Sequence, residues 1–368
     1  MRDKVERKAY VNIIYFVILG LVLLTNIFYG FFSKLLFLVP NIEKTDSTQI
    51  HFINVGQGDA IAIRFKTGET MLIDSGTELY RKKLIRYLDN VVLDDNRIDY
   101  LVLTHTDLDH SANMEYIISN YEIGTFYRPP VYLRKENEYN YIDNENYTNI
   151  INLLKNKGVD IKFNDDNELL TIGSAKLRWL YPDIDNYIDN NNTNNHSAVI
   201  ILEENNKKLM LTGDIDSSIE MEIMNTYSSE DLDIDILKVA HHGSNSSTSA
   251  LFLETTSPKY AVISVGENSY GHPAEGLLSR ILEYSGELYN NLYRTDINGN
   301  IIFTIDENIK VETIDNIDKY SFSPYWLYTI LIDILLAVVM FMPYFKVWKK
   351  KLRFIIVNAL HKKKNDDN

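Results

Sequence analysis

Apolar residues follow two different patterns along the 368-residue chain. Near each end they form one long run: residues 11–32 contain no charge, and residues 325–345 contain only Asp333. At about 1.5 Å per helical residue, each run matches a hydrocarbon core about 30 Å thick. The pattern predicts one transmembrane helix in each of the segments 11–39 and 325–345. A buried core helix is the alternative for both, and Asp333 strengthens that alternative for the second run.

Asp333 has two interpretations of its own. An ionisable residue inside a membrane helix is often functional, but one aspartate near a helix end can also snorkel or pair across a helix interface. The sequence does not choose between them.

Between the two long runs, apolar residues occur in short stretches separated by turns and polar loops. Helical spacing predicts helices at 80–88, after Ser111 as N-cap, and at 218–227, 250–255 and 274–284. Segments 128–146 and 183–195 are rich in Asn and Tyr and are predicted to be solvated loops. Strands are predicted in QIHFINVGQGDAIAIRF (two strands), ETMLIDSG, RIDYLVLTH, AKLRWLYP, SAVIILEENNKKLMLTGD, DIDILKVAHHGS, KYAVISVGE and GNIIFTID. This alternation favours an α/β domain over residues 41–322.

The charges predict an orientation for the chain. Basic residues are concentrated in the terminal segments 1–10 and 346–368, outside the two apolar runs. Because basic flanks stay in the cytoplasm, both ends should face it, and residues 41–322 should lie on the opposite side of a cell membrane. That middle part carries 24 Lys and Arg against 46 Asp and Glu, a net charge of −22. The negative electrostatic potential of this part repels polyanions, which argues against a broad nucleic-acid-binding surface.

The candidate chemistry lies in LVLTHTDLDH, where His105, Asp107, Asp109 and His110 follow an apolar run. The chain has no cysteine, so any metal must be bound by His, Asp or Glu. Carboxylates this close would repel one another, and two divalent cations about 3.5 to 4 Å apart would remove that cost. A capped, solvated loop is the alternative, but such a loop does not require two histidines.

Three further segments end an apolar run in the same way. LIDSG, MLTGD and KVAHHGS place Asp74, Asp214 and the pair His241 and His242 directly after predicted strands. A sheet delivers ligands to one edge by this arrangement. We therefore expect these side chains to meet the His105 to His110 cluster.

In this order the motifs resemble the metallo-β-lactamase fold, and within it the extracellular hydrolase domain of the ComEC-like DNA-uptake family. The similarity covers about residues 49–305 and rests on FINVGQGDAIAI, LIDSG, LVLTHTDLDH, LMLTGD, LKVAHHGSNSST, AVISVGENSYGHP and YRTDINGNIIFTI. It implies an αββα sandwich that hydrolyses its substrate with metal ions. A ComEC-like channel needs a many-helix membrane domain, which two spans cannot form without partners.

The resemblance also implies a ligand set for two divalent ions. Asp109 would in addition orient the metal-bound hydroxide, and Asp74 would support the ligand loop from the neighbouring strand. The six implied ligands are His105 and Asp107 for the first ion, Asp109 and His110 for the second, Asp214 as the bridge, and His241 completing the second site.

Several histidines leave alternatives open. His196, in NNHSAV, stands where ComEC-like members tend to have Asn, so it is either a metal ligand or a substrate-facing or exposed side chain. Adjacent strand positions point opposite ways, so His241 and His242 compete for one ligand role, and His241 is preferred. His272, in YGHP, is a candidate contact to the substrate or a leaving-group oxygen. His51 accompanies no motif and is interpreted as structural or solvated.

Asp107 affects the expected metal. The wider superfamily most often has histidine at this position, and an aspartate makes the first site harder and more anionic. This shifts the preference from zinc towards manganese, iron or magnesium, and zinc remains an alternative. The expected cofactors are two divalent ions, manganese or zinc.

The predicted function is a membrane-anchored phosphodiesterase or nuclease that acts outside the cytoplasm through attack by metal-bound hydroxide. Its expected partners are a phosphodiester or nucleic-acid substrate, the lipid bilayer and other membrane proteins. The charge of −22 keeps small or cell-wall phosphodiesters as an alternative substrate class. An inactive sensor or scaffold in a membrane complex is a further alternative, which the full set of ligand positions disfavours.

Overall fold

The computed structural model describes residues 45–133, 136, 143–166, 168–184 and 192–314, with the single positions 20, 349 and 353. The central part of the chain, Pro40–Asn316, forms one compact unit. The predicted membrane segments 11–39 and 325–345 lie, apart from Gly20, outside the described residues. Within the described part of the chain, no helix has the length and hydrophobicity needed to cross a membrane.

Fifteen strands are described in this unit. In chain order they are β1 (Thr48–Phe52), β2 (Ile61–Arg64), β3 (Thr70–Ile73), β4 (Arg97–Val102), β5 (Glu122–Arg128), β6 (Asp160–Phe163), β7 (Leu169–Ile172), β8 (Ala175–Tyr181), β9 (Val199–Glu204), β10 (Lys207–Leu211), β11 (Ile236–Lys238), β12 (Tyr260–Ile263), β13 (Leu292–Arg294), β14 (Asn300–Ile305) and β15 (Ile309–Ile314).

The strands form two mixed sheets. The first has the order β15-β14-β1-β2-β3-β4-β5-β6 and the second β13-β12-β11-β10-β9-β8-β7. Strands β3 to β6 run parallel to one another, as do β10 to β13. Each sheet therefore brings the ends of several parallel strands to one edge.

The described helices are short, and 3-10 or π turns precede or follow several of them. The helices are α1 (Arg81–Tyr87), α2 (Leu108–Ser111), α3 (Met114–Asn120), α4 (Glu145–Lys157), α5 (Ser217–Thr226), α6 (Ser229–Leu232), α7 (Ala250–Thr256), α8 (Glu275–Tyr284), α9 (Gly286–Asn290) and α10 (Thr295–Asn298). The tighter or wider turns are Glu78–Tyr80, Leu88–Val92, Thr193–His196 and Ala240–Gly243.

Three apolar layers hold this arrangement together. One lies between the sheets and contains Phe52, Phe303 and Trp179. Another joins the first sheet to α1, α3 and α4, and the third joins the second sheet to α5, α7 and α8. Each fully buried Leu, Ile or Phe side chain contributes about 1.5–3 kcal/mol to this packing. The result is a sandwich of two sheets with helices on both outer faces, as the resemblance implies.

Two local predictions differ from the structure. Ser111 does not begin a helix: it is the last residue of α2, its hydroxyl donates to the carbonyl of Thr106, and Asn113 precedes α3. Helix α4 was not predicted, and it begins inside the segment interpreted as a loop. The side chain of Asn144 caps it by accepting a hydrogen bond from the backbone of Tyr147.

Candidate metal centre

The candidate residues lie where parallel strands of both sheets end. Asp74 follows β3 and His105 begins the loop after β4, while Asp214 follows β10 and His242 follows β11. β3 pairs with β4, and β10 pairs with β11, both in parallel. In the structure, Asp74, Asp214 and His242 each lie within 3.3 Å of a ring nitrogen of His110, in the segment after β4.

Four side chains converge on one point. Donor atoms of Asp109, His110, Asp214 and His242 all lie within 4.8 Å of one another. The Nε2 atoms of His110 and His242 are 3.3 and 3.0 Å from Asp214 Oδ2, and His242 Nε2 is 3.3 Å from Asp109 Oδ2. Four donors about 2.1 Å from one ion are spaced about 3.4 Å apart in a tetrahedral site. The donor spacing therefore fits a divalent cation.

His105 and Asp107 lie beside this group. His105 Nδ1 is within 3.2 Å of the hydroxyls of Thr104 and Ser197, whereas its Nε2 atom is buried and has no hydrogen-bond partner among the described residues. Asp107 Oδ2 is 3.9 Å from that nitrogen. A buried imidazole nitrogen left without a partner, next to a carboxylate, fits a second cation.

Hydrogen bonds fix the orientation of the two central histidines. His110 Nδ1 donates to Asp74 Oδ2 at 2.7 Å, and His242 Nδ1 donates to the carbonyl of Ser264 at 2.9 Å. Asp74 also accepts from the backbone and hydroxyl of Thr104, which joins it to the ligand loop. Each imidazole is thereby oriented so that Nε2 faces the cluster, as in metal-binding histidines.

The electrostatics of the cluster are dominated by burial and by opposite charges. Burial would lower the pKa of His110, but Asp214 and Asp74 outweigh it and hold this pKa well above the usual value. Burial also opposes the charged form of His242, but Asp214 and Asp109 outweigh it and raise the pKa of His242 to about 10. Burial would raise the pKa of Asp214, but His242 and His110 hold it well below the usual value. Without cations these groups share protons, which metal binding would displace.

The structure places His242, not the preferred His241, in the cluster. Both residues lie in the turn Ala240–Gly243 with φ of 51° and 52°, so strand alternation does not apply to them. His241 Nε2 is 3.4 Å from Asn194 Nδ2, and the His241 ring centroid is 5.5 Å from that of His272. With positive φ at both residues, the His241 imidazole points away from the donor cluster and the His242 imidazole points into it.

The two other candidate histidines lie outside the cluster. His196 is buried at the end of the turn Thr193–His196, and the donor groups found among the described residues do not include it. His272 lies on the rim, with its backbone held by the side chain of Asn268 and its ring 5.8 Å from the exposed ring of Tyr270. Burial lowers the pKa of both His272 and His241, so both are neutral at pH 7.

Two further residues at the centre were not identified from the sequence. Asp59 and Lys238 are buried, and Lys238 Nζ is 2.5 Å from Asp59 Oδ2. The signals were present in VGQGD and in ILKVA, where a lysine interrupts an apolar strand that lies inside a sheet. Lys238 Nζ also lies 2.9 Å from the carbonyl of Gly213 and 3.5 Å from Asp214 Oδ1.

Curated relatives of the chain are competence and recombination proteins. ComE operon protein 3 of Bacillus subtilis is 27% identical over 285 residues, which is 73% of this chain and 34% of that protein. Recombination protein 2 of Haemophilus influenzae is 26% identical over 255 residues, which is 66% and 27%. Competence protein ComA of Neisseria gonorrhoeae is 38% identical over 96 residues, which is 26% and 13%. The chain thus spans about a third or less of the length of these relatives.

Solved structures and a family model also match the chain. The metallo-β-lactamase fold protein YhfI of Bacillus subtilis is 10% identical, with a TM-score of 0.44 over 70% of this chain and 100% of its own. CmlA of Streptomyces venezuelae, described as a diiron β-hydroxylase, is 12% identical, with a TM-score of 0.46 over 72% and 55%. The metallo-β-lactamase superfamily, generally one of metal-dependent hydrolases, matches residues 53–267, more than half of the chain. The chain therefore belongs to the metallo-β-lactamase superfamily.

Proposed function

We propose that this protein is a membrane-anchored phosphodiesterase or nuclease that uses two divalent metal ions and acts outside the cytoplasm. The observation that carries this proposal is the convergence of Asp109, His110, Asp214 and His242, whose donor atoms lie within 4.8 Å of one another. A shared cation would offset the desolvation of these four buried or partly buried donors from both sheets.

The charges around the centre support two ions. The described carboxylates there are Asp59, Asp74, Asp107, Asp109 and Asp214, against one ammonium on Lys238. With neutral imidazoles this leaves a charge of −4, which two divalent cations balance. One cation would leave a charge of −2 at a centre that is largely buried, which is unfavourable.

We assign the ligands in two groups around a shared carboxylate. His105 and Asp107 would bind the first ion; Asp109, His110 and His242 would bind the second; Asp214 would bridge them. His241 and His196 are left out because neither joins the clustered donors of the described residues. His105 and Asp107 also lie outside that group, and they are kept because His105 Nε2 is 3.9 Å from Asp107 Oδ2 and the His105 ring centroid is 4.1 Å from that of His110. The aspartates give the first site a hard ligand set, which favours manganese, with zinc as the alternative.

The bound ions would supply an activated water and positive charge for the leaving oxygen. The protein's own groups then have separate tasks. Asp109 is the most exposed of the four clustered side chains, at 32%, so its carboxylate can accept a hydrogen bond from the attacking water. His272 is neutral on the rim, so its ring N–H can donate a hydrogen bond to the leaving oxygen, whose proton would come from water.

The substrate proposal rests on two observations that point in different directions. The names of the relatives concern competence and recombination, which favours a nucleic acid. The charge of −22 on residues 41–322 opposes a long polyanion and favours a single strand or a small phosphodiester. We therefore propose a phosphodiester bond as the target, with single-stranded nucleic acid as the first substrate to test.

The purified full chain should hydrolyse bis-p-nitrophenyl phosphate and single-stranded DNA with Mn²⁺, with less activity on double-stranded DNA and none on a lactam. Asp109→Ala and Asp214→Ala should each abolish turnover without loss of fold. Glu283→Ala, at an exposed position of α8, is the matched control. A protein that contains no metal by elemental analysis and no activity in the panel would instead be an inactive scaffold.

A further inference from the structure

We propose that Tyr270 determines substrate specificity by stacking on a base of a single-stranded nucleic acid whose phosphate lies at the metal centre. The inference rests on the proposed function, and it names the contact that favours a single strand over a double strand. Tyr270 has no task in the hydrolysis proposed above.

A row of four aromatic rings leads from the donor cluster to the surface. Successive ring centroids are 6.3 Å apart from His242 to His241, 5.5 Å from His241 to His272 and 5.8 Å from His272 to Tyr270. Exposure increases along this row: His242 is buried, His241 and His272 are partly exposed, and Tyr270 is 74% exposed. A strand whose phosphate lies at the cluster would extend along the row towards solvent and reach Tyr270.

The backbone that carries Tyr270 is held by the side chain of Asn268. Asn268 Oδ1 accepts hydrogen bonds at 3.0 Å from the backbone nitrogens of Tyr270 and His272. Asn268 Nδ2 donates at 2.8 Å to the carbonyls of Gly266 and His272. These four bonds use both donors and both lone pairs of the amide. Tyr270 is thus presented from a fixed turn, so little conformational freedom is lost when a base binds.

The charge of the chain favours stacking as the source of affinity. Residues 41–322 carry a net charge of −22, so long-range electrostatics oppose the approach of a phosphate backbone. Contacts of another kind must therefore hold a nucleic acid near the centre. An exposed aromatic ring supplies such a contact, because stacking on a base uses the flat faces of both partners and requires no charge.

Stacking on Tyr270 also distinguishes single from double strands. A base in a single strand is available to the ring, whereas a base in a duplex must first be unpaired and unstacked at a free-energy cost. Every base has a flat aromatic face, so the contact does not depend on sequence. We therefore expect a preference for single strands without a preference for particular bases.

The competing explanation is that Tyr270 only holds His272 in place. Two substrates of equal length and backbone charge separate the explanations: a short oligomer of thymidines, and the same oligomer with every base removed. Displacement of His272 would affect both substrates, whereas loss of stacking affects only the first. Tyr270→Phe keeps the ring, and Tyr289→Ala removes another exposed tyrosine, on α9, as the matched control.

The test uses the purified full chain with Mn²⁺ and both oligomers. For Tyr270→Ala we expect KM on the thymidine oligomer to rise about fivefold or more, with kcat changed less than twofold. Its kcat/KM on the base-free oligomer should change less than twofold. Tyr270→Phe and Tyr289→Ala should behave as wild type on both substrates.

An equal loss on both oligomers, or an unchanged KM in Tyr270→Ala, would overturn the stacking contact. If wild type hydrolyses bis-p-nitrophenyl phosphate but does not prefer the thymidine oligomer to the base-free one, the contact is overturned and the proposed function stands.

Fluorescence anisotropy of the labelled oligomers decides the case in which wild type hydrolyses no phosphodiester. Tighter binding of the thymidine oligomer that is lost in Tyr270→Ala would then support the contact and contradict the proposed function. Equal binding of both oligomers, or no binding, would overturn both.

Discussion

His241 and His242 are adjacent in the chain but have different surroundings. His242 Nε2 lies 3.0 and 3.3 Å from carboxylate oxygens of Asp214 and Asp109, whereas His241 contacts Asn194 and faces His272. We expect His242→Asn to lose at least one metal ion per chain and His241→Asn to retain both, as measured by elemental analysis after dialysis. The reverse result would restore His241 as the ligand.

Asp107 controls the choice of metal if it binds the first ion. Its carboxylate is 3.9 Å from the unpartnered Nε2 of His105. We expect wild type to be most active with Mn²⁺ and Asp107→His to shift the optimum towards Zn²⁺, because imidazole suits zinc and the site loses one negative charge. The measurement is kcat/KM on bis-p-nitrophenyl phosphate with each metal. A wild-type optimum with Zn²⁺ that the substitution does not alter would remove Asp107 from the ligand set.

His51 links folding stability to pH, away from the metal centre. It is fully buried on β1, its Nδ1 lies 3.0 Å from the Tyr87 hydroxyl, and burial lowers its pKa to about 3. The unfolded chain takes up a proton at this histidine near pH 6.5, whereas the folded chain does not until about pH 3. Its contribution to stability is therefore fully present above pH 6.5 and is lost as pH falls through that window.

The free energy of unfolding of wild type should accordingly fall relative to His51→Asn, by about 1.4 kcal/mol for each pH unit below 6.5. Denaturant titrations of both proteins at pH 7, 6 and 5 measure this difference. A difference that does not change with pH would mean that His51 is protonated in the folded chain.

At the scale of elements, the turn between β1 and β2 supports the ligand loop directly. Gly58 has φ of +147°, and a Cβ added there would lie 2.2 Å from the carbonyl oxygen of Asp109. The backbone nitrogen of Asp59 also donates to that oxygen. The turn and the loop are in contact, so a side chain at Gly58 must displace Asp109.

We expect Gly58→Ala to weaken Mn²⁺ binding at least tenfold and to lower the free energy of unfolding. Gly68→Ala is the control, because Gly68 has φ of +103° and no atom of the described residues lies within 4 Å of a Cβ added there. Backbone strain at either position costs about 1–3 kcal/mol, and the clash at Gly58 adds a similar amount. Equal metal affinity in the two variants, measured by calorimetry, would show that the turn does not hold the loop in place.

Elements with a strong local pattern of apolar and polar residues could be predicted from the sequence. Features that depend on contacts between distant parts of the chain could not. The strands that end in Asp74, His105 and Asp214 were predicted because their apolar runs stop at a polar residue. Helix α4 was missed because Asn and Tyr dominate the segment before it and its apolar face is short. Strand alternation favoured His241, whereas the structure has His242 among the clustered donors, since alternation holds only for extended backbone and both histidines have positive φ.

Asp59 and Lys238 show a different limit. They are 179 residues apart in the chain, and their pairing exists only because β11 and the β1–β2 turn meet at the same edge of the sandwich. A lone lysine in an apolar strand indicates a buried partner but not which one. Charge pairs between the two sheets can therefore be identified only once the fold is known, whereas candidate ligands at strand ends can be predicted from the sequence.

At the scale of the whole molecule, hydrogen bonds join the two sheets close to the candidate metal centre. Trp179, buried between the sheets, donates through Nε1 to Asn164 Oδ1 at 3.0 Å, and Asn164 Nδ2 donates to the carbonyl of Leu103 at 2.9 Å. Leu103 lies two residues before His105. The second sheet is thus hydrogen-bonded to the start of the ligand loop of the first, so donors from both sheets keep a fixed spacing.

Charge is distributed unevenly over the whole chain, and this predicts its topology. Residues 41–322 carry −22, while segments 1–10 and 346–368 are rich in Lys and Arg. Two apolar runs long enough to span a bilayer separate these parts, and basic flanks are retained in the cytoplasm. Protease added to intact cells stripped of their wall should therefore cut residues 41–322 and leave tags at both ends of the chain undegraded. A cytoplasmic protein that stays intact in the same cells is the control for membrane integrity.

Replacing Arg2, Lys4, Arg7 and Lys8 with Asn should expose the first tag in a fraction of the molecules, because the orienting charge is lost. Cleavage of both tags with a protected middle would place the metal centre in the cytoplasm and overturn the proposed localisation.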